Sequence, residues 1–419
     1  MDRSVMCTFL STFTLLCCLQ VVPCLVQAED WSGFRGPGSQ GVSSDEKVPV
    51  EWGDEKNLKW KLELPGKGFS SPIVVGKQVL VTCYSGTSAS VKRHLVSVDR
   101  QTGTIGWVTS VDSKVAESRG ASFGTSHGFA SHTPVSDGKH IYVLFGKSGV
   151  YAFDMEGKEI WNKSVGTGSS TFGSAASPIL YKDHVIVTAA SESQSIVALK
   201  KSDGEQAWST KAGSLGRSYA TPVVATNEAG VDEVLVSVVS EVWSLNPGTG
   251  KLNWYSVNSV DTNACPGLVK NGSTVYVIGG RGPGGRAAIK LDGKKDAGEL
   301  KSLWSTTGGS YVSSPVLHKD HLYWFTERGM GICVDAKTGK EVTRKRVGGE
   351  FYASTLVIKD KIYAVSRFDG TYVFSATPEL SQLAHNKLTD QSDFSGSPAV
   401  SDGQLIMRSD KYLYCIEAE

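Results

Sequence analysis

The side chains able to do chemistry recur at one kind of place, the turns and connections between apolar β-type runs. Arg119, His127, His132, Arg217, Arg281, Arg286, Glu327, Arg328, Glu350, Arg367, Asp369, Asp393, Arg408 and Asp410 all fall there. Just ahead of short apolar runs stand Phe69, Phe129, Phe172, Tyr219, Tyr311, Tyr352 and Phe394. Mixed charge around a ring of aromatics can hold a flat or sugar-like ligand, or a peptide strand. The competing reading is that the aromatics plug the centre and the charges pair with each other. The candidate ligand contacts carried forward are His127, His132, Arg217, Tyr219, Arg281, Tyr311, Glu327, Arg328, Arg367, Asp369, Arg408 and Asp410. No catalytic or metal-binding set is assigned.

Several motif matches carry less than their spacing suggests. Gly120, Ser122 and Gly124 fit the G-x-S-x-G of hydrolases. That nucleophile needs a strand, a strained turn and a helix, and this is a Gly/Ser-rich connection. Gly282, Gly284 and Gly285 between Arg281 and Arg286 could cradle an anion. No helix follows, which excludes a dinucleotide fingerprint and favours a plain turn. His127 and His132 share one connection, with no clustered third and fourth ligand for a metal. His318 and His321 read as a solvated hairpin turn on the opposite face.

The elements that must position these residues are repeats. The stretch 132–161 reads as four short strands, and it recurs along the chain. Aligned prolines stand at Pro72, Pro134, Pro178, Pro222, Pro266, Pro315 and Pro398, with Thr355 in the remaining place. Each follows a small residue: Ser71, Thr133, Ser177, Thr221, Cys265, Ser314, Ser354 or Ser397. Proline tolerates only an unpaired strand edge, which the innermost strand of a radial blade provides. Gly103, Gly157, Gly204 and Gly250 each precede a tryptophan by four residues, at Trp107, Trp161, Trp208 and Trp254. The pattern fades later, where Gly339 is followed by Thr343 and the seventh unit has no tryptophan. A unit of this size cannot bury both faces alone, so units must stack. The expectation is an all-β fold, a single eight-bladed β-propeller of four-stranded blades over residues 58–419. A strand around Trp60 arrives one unit early and would complete the last blade, closing the ring.

Residues 1–28 read as a signal peptide, with residues 5–26 apolar, Arg3 in front and cleavage after Ala28. Pro23 spoils a lipobox ahead of Cys24, which argues against a lipid anchor. No other stretch is long and apolar enough to cross a bilayer. The chain has 43 Lys+Arg against 42 Asp+Glu, a net charge of +1, which argues against a nucleic-acid partner. Cys83, Cys265, Cys333 and Cys415 read as small core residues rather than a disulfide or metal set. Residues 29–57 form an arm, expected to pack on the propeller's side.

The Asp/Asn, Thr-Gly-Lys and Trp pattern resembles the repeat of pyrroloquinoline-quinone-like β-propellers. It is carried by Asp99, Thr102, Gly103 and Trp107, by Asn246, Thr249, Gly250, Lys251 and Trp254, and by Asp335, Thr338, Gly339 and Lys340. The Phe34-Arg35-Gly36-Pro37 arm and Gly128-Phe129-Ala130 resemble a secreted bacterial branch of that superfamily, which includes quinoprotein alcohol dehydrogenases and the assembly factor BamB. The resemblance implies two readings. One is a quinoprotein dehydrogenase with pyrroloquinoline quinone and calcium, to which Glu327, Asp369 or Asp410 could give carboxylates. Such enzymes carry adjacent disulfide-bonded cysteines, and here adjacent cysteines occur only at Cys17-Cys18 in the leader. The preferred reading is a monomeric, non-catalytic, exported platform, periplasmic or secreted, that needs no cofactor. It would bind a protein or peptide partner in the cell envelope, with outer-membrane assembly as one setting, or a glycan.

Overall fold

Apolar runs flanked by tight turns form four-stranded antiparallel sheets here, as in the second repeat, with Val135–Ser136, His140–Leu144, Val150–Asp154 and Glu159–Lys163. The middle strands are buried on both faces and read as continuous apolar stretches, while the outer strand alternates toward solvent. The structure, a computed structural model, describes residues 30–117, 129–170, 172–293, 296 and 298–419. Eight such sheets follow one another around a ring, so the eight-bladed propeller is the fold. Leu58–Glu63 pairs antiparallel with Tyr412–Ile416 as the outer strand of the eighth blade, and Trp60 faces Cys415. The leader, the Cys24 position, Arg119, the 120–124 motif and His127 lie outside the described residues.

The glycine–tryptophan spacing makes a lock between blades at three of its four positions, while Trp254 donates to Glu233 of its own blade at 2.8 Å. Trp107, Trp161, Trp208 and Trp304 each donate the indole N–H to a carbonyl of the next blade, at Met155, Lys201, Pro247 and Ala336, over 2.9 to 3.1 Å. Trp60 does the same across the closure, to Arg100 O at 2.9 Å. The glycine of each following turn lies under that indole. A Cβ on Gly204, whose φ is +72°, would stand 2.5 Å from Trp161. Glycine is therefore required there twice, for its backbone and for its missing side chain. The indoles fill the wedge that opens as sheets fan outward.

Two buried arginines sew the seam between first and eighth blades. Arg100 donates to Gln404 and Ser401, and Arg408 donates to Ser70 O, Ser70 Oγ and Thr82 O. Burial lowers the Arg408 pKa to about 10, so carbonyl contacts offset part of the desolvation cost.

The arm packs on the propeller's side only in its second half, around Trp52, whereas its first half does not. Trp31 bonds to Val74, Ser32 O accepts from Ser136 N, Gln40 accepts from Lys270 N, and Val42–Ser43 pairs in parallel with Val357 and Ile358. These partners belong to the inner strands of the first, second, fifth and seventh blades, so the arm crosses the axis and stops the channel from below. The physical reason is the free edge of each inner strand, whose N–H and C=O groups face the axis and need partners. Arg35 adopts φ +61° and Gly36 φ +67°, and a Cβ on Gly36 would strike Trp31 at 2.5 Å. The arm then runs into the wedge between seventh and eighth blades. There Trp52 stacks on Tyr363 and its N–H bonds to Asn386.

Candidate functional site

Above the arm, on the face carrying the interblade connections, the axis opens as a funnel of about 180 Å³. Its girdle is the set of small residues before the prolines, one from every blade. Their hydroxyls join neighbouring blades. Thr133 Oγ1 accepts from Ser71 N, Ser177 Oγ from Thr133 N, Thr221 Oγ1 from Ser177 N, Ser397 Oγ from Ser354 N and Ser71 Oγ from Ser397 N, over 2.8 to 3.1 Å. Ser314 Oγ accepts from Gly267 N at 2.9 Å. Each of these hydroxyls thus gives one acceptor position to the ring, and Cys265 puts a thiol where the pattern has a hydroxyl.

Above the girdle stand Phe69, Phe172, Tyr219, Tyr311 and Tyr352, with Phe34 of the arm also in the lining and Arg367 as its one charged side chain among the described residues. Burial raises the pKa of all three tyrosines, keeping them neutral hydrogen-bonding aromatics. The Cys265 thiol is pushed up to about 12 by burial, which makes it a poor nucleophile. Cys83, Cys333 and Cys415 are buried core residues and free thiols, while Cys265 is half-buried in the funnel wall.

The structure brings only part of the sequence-derived set together. Tyr219, Tyr311 and Arg367 line the funnel. Arg281 lies on the rim, its guanidinium 5.7 Å from the Tyr311 ring centroid, and Arg217 is exposed two residues before Tyr219. Glu327 and Arg328 pair at 3.7 Å over a neighbouring surface hollow. His132 is not at the axis. It is buried beside Arg93 and Glu192 in a hollow of about 50 Å³ with its Nε2 on Ser174 Oγ, and burial lowers its pKa to about 3. Arg408 belongs to the blade seam, and Asp410 follows it in the adjoining turn, where its N–H donates to Asp393 O. Asp369 accepts from Tyr372 and Lys387 in the hollow between seventh and eighth blades. Arg286 is spent on Gly308 O and Gly339 O, so the glycine-flanked pair of arginines is no anion cradle. Phe129 stacks edge-on against Tyr84, and Phe394 lines the hollow of Asp369.

Calcium-assisted quinone binding needs carboxylate oxygens converging beside an aromatic slot. Glu327, Asp369 and Asp410 sit in separate places, and the funnel lining holds no carboxylate among the described residues. These residues do not fit that group, and no step through it is derived.

Latched four-stranded repeats in a closed ring of eight define a β-propeller of the pyrroloquinoline-quinone-like repeat class. The chain belongs to the family described as outer membrane protein assembly factor BamB, whose profile matches residues 60–193 and 92–345. No curated protein sequence matches it. Among solved structures it is similar to BamB from Moraxella catarrhalis, at 13% identity and TM-score 0.60, covering 85% of this chain and 98% of that one. The computationally designed Ika8 protein superposes with 12% identity and TM-score 0.56 over 84% and 98%. A europium-containing methanol dehydrogenase reaches TM-score 0.46 at 11% identity over 83% and 89%. At these identities the structural likeness speaks for the fold alone.

Proposed function

We propose that this chain is an exported, non-catalytic binding module of the cell envelope that receives a partner protein on the face carrying the funnel. The observation that carries the reading is the funnel's make-up: aromatics from several blades, girdle hydroxyls that each accept a backbone N–H, and, among the described residues, a single guanidinium held by two carboxylates. Its volume of about 180 Å³ falls below the ~300 Å³ at which pockets for drug-sized ligands begin. It lies close to the ~150 Å³ that encloses one benzene-sized group. A space of that size and character suits one aromatic side chain of a partner better than a tricyclic cofactor. The family description, an assembly factor of the outer membrane, supports a protein partner in the same compartment.

Calorimetric titration of the mature protein with pyrroloquinoline quinone and calcium, followed by a dye-linked alcohol oxidation assay, tests the reading. It predicts neither calcium-dependent binding nor turnover. Saturable calcium-dependent binding with alcohol oxidation would make the chain an enzyme and overturn it.

A further inference from the structure

Beside the funnel, the seventh and eighth blades leave a second cavity of about 100 Å³, floored by Trp52, Val365, Phe394 and Met407. Phe368 stands at its mouth, 53% exposed, the one aromatic among the exposed large hydrophobic residues described. Arg367 forms the saddle between the two cavities. Its guanidinium lies 4.3 Å from the Tyr352 ring centroid on the funnel side and 4.8 Å from that of Phe368 on the other. Apolar sockets flanking a stacked arginine, with an exposed aromatic at the lip, are the composition of a docking hot spot rather than of idle surface.

The charge of this strip is one-sided. Arg367 pairs with both Glu350 and Asp393, one cation for two carboxylates. The second cavity adds Asp369 and Asp390 against Lys387, and Asp390 accepts from Tyr414 rather than from a cation. Four carboxylates thus face two cations, and Glu350 keeps 40% of its side chain exposed. A neutral sugar gains nothing from that excess, whereas a basic side chain laid over the saddle does.

We propose that funnel, saddle and second cavity form one groove for an extended segment of a partner protein. An aromatic side chain enters the funnel, a lysine or arginine crosses the saddle, and a second apolar side chain fills the cavity beside Phe368. Residues i, i+2 and i+4 of an extended chain share one face and span ~13 Å, which allows all three contacts from one short segment. This assignment rests on the platform reading and adds the chemistry of the occupant.

The test uses a fluorescein-labelled Phe-Ser-Lys-Ser-Leu peptide within Gly/Ser flanks, titrated into the mature protein and read by polarisation. Binding that weakens as salt rises is expected. Exchanging the peptide's lysine for glutamate weakens it about tenfold or more, and Phe368→Ser or Tyr352→Ala on the protein does so about tenfold. Glu350→Gln narrows the preference for lysine over glutamate. Because Phe368 is exposed, its replacement leaves the thermal transition in place, which separates lost binding from lost fold. Equal binding of the two peptides, indifference to Phe368→Ser, or no binding of either overturns the assignment. Those results would leave the platform reading standing, and only calcium-dependent quinone turnover removes that.

Discussion

Two arcs of the ring are built differently. From the eighth blade round to the fourth, each wedge is closed by an indole whose N–H reaches the next blade, over a glycine with no side chain to obstruct it. Between the sixth and seventh and the seventh and eighth blades no outer-strand indole of this kind reaches across among the described residues. Lys345 reaches Glu379 O and Leu380 O in place of one indole, and Trp52 of the arm fills in for the other. The substitute leaves room, and the cavity beside Phe368 occupies it. The wedge closed by a borrowed residue keeps an apolar-floored hollow of about 100 Å³ beside an exposed aromatic, which a partner can use.

The sharpest way to break that comparison is a pair of truncations. Trp161→Ala empties a regular wedge and is expected to cost about 3–5 kcal/mol in denaturant unfolding. Lys345→Ala removes two hydrogen bonds to backbone carbonyls on the irregular side and is expected to cost about 1 kcal/mol or less. Equal costs would mean that the indoles are not the locks. A smaller effect concerns pH. His132, packed against Arg93 and Glu192, has a folded pKa of about 3, against ~6.5 for a free imidazole. The unfolded chain therefore takes up the proton first as pH falls. The histidine's contribution is whole above pH ~6.5, is lost progressively below it, and amounts to about 2 kcal/mol lost by pH 5. Glu192, whose pKa burial raises, works in the opposite sense. His132→Gln should flatten the acid side of the stability profile, and an unchanged slope would assign it to other groups.

The sequence is legible where physics repeats. Proline after a small residue, and glycine four before tryptophan, recur because every blade solves the same packing problem, so blade number and ring closure at Trp60 follow from counting. What recurs says nothing of direction, however. The glycine lies under the previous blade's indole, and the small residues before proline are hydrogen-bond acceptors for a neighbouring blade, facts that exist only between repeats. Loop position placed Tyr219, Tyr311 and Arg367 in the funnel, yet could not tell Arg367, in the turn after Lys361–Val365, from Arg408, which ends the strand Gln404–Arg408 of the next blade and points into the seam. The sequence assigns no site role to Phe34 or Trp52, because the arm has no repeat to align with. The one available signal was the Arg35-Gly36-Pro37 turn, whose left-handed backbone marks a tightly held chain rather than a loose one.

The most direct measurement places a photo-crosslinking amino acid at Phe368 on the irregular arc, and separately at Ser193, in the corresponding turn of the third blade, in cells that produce the protein. The account predicts a discrete adduct with a partner protein from position 368 and none from 193. Equal adducts from both positions, or none from either, would contradict the claim that the irregular arc is the docking side.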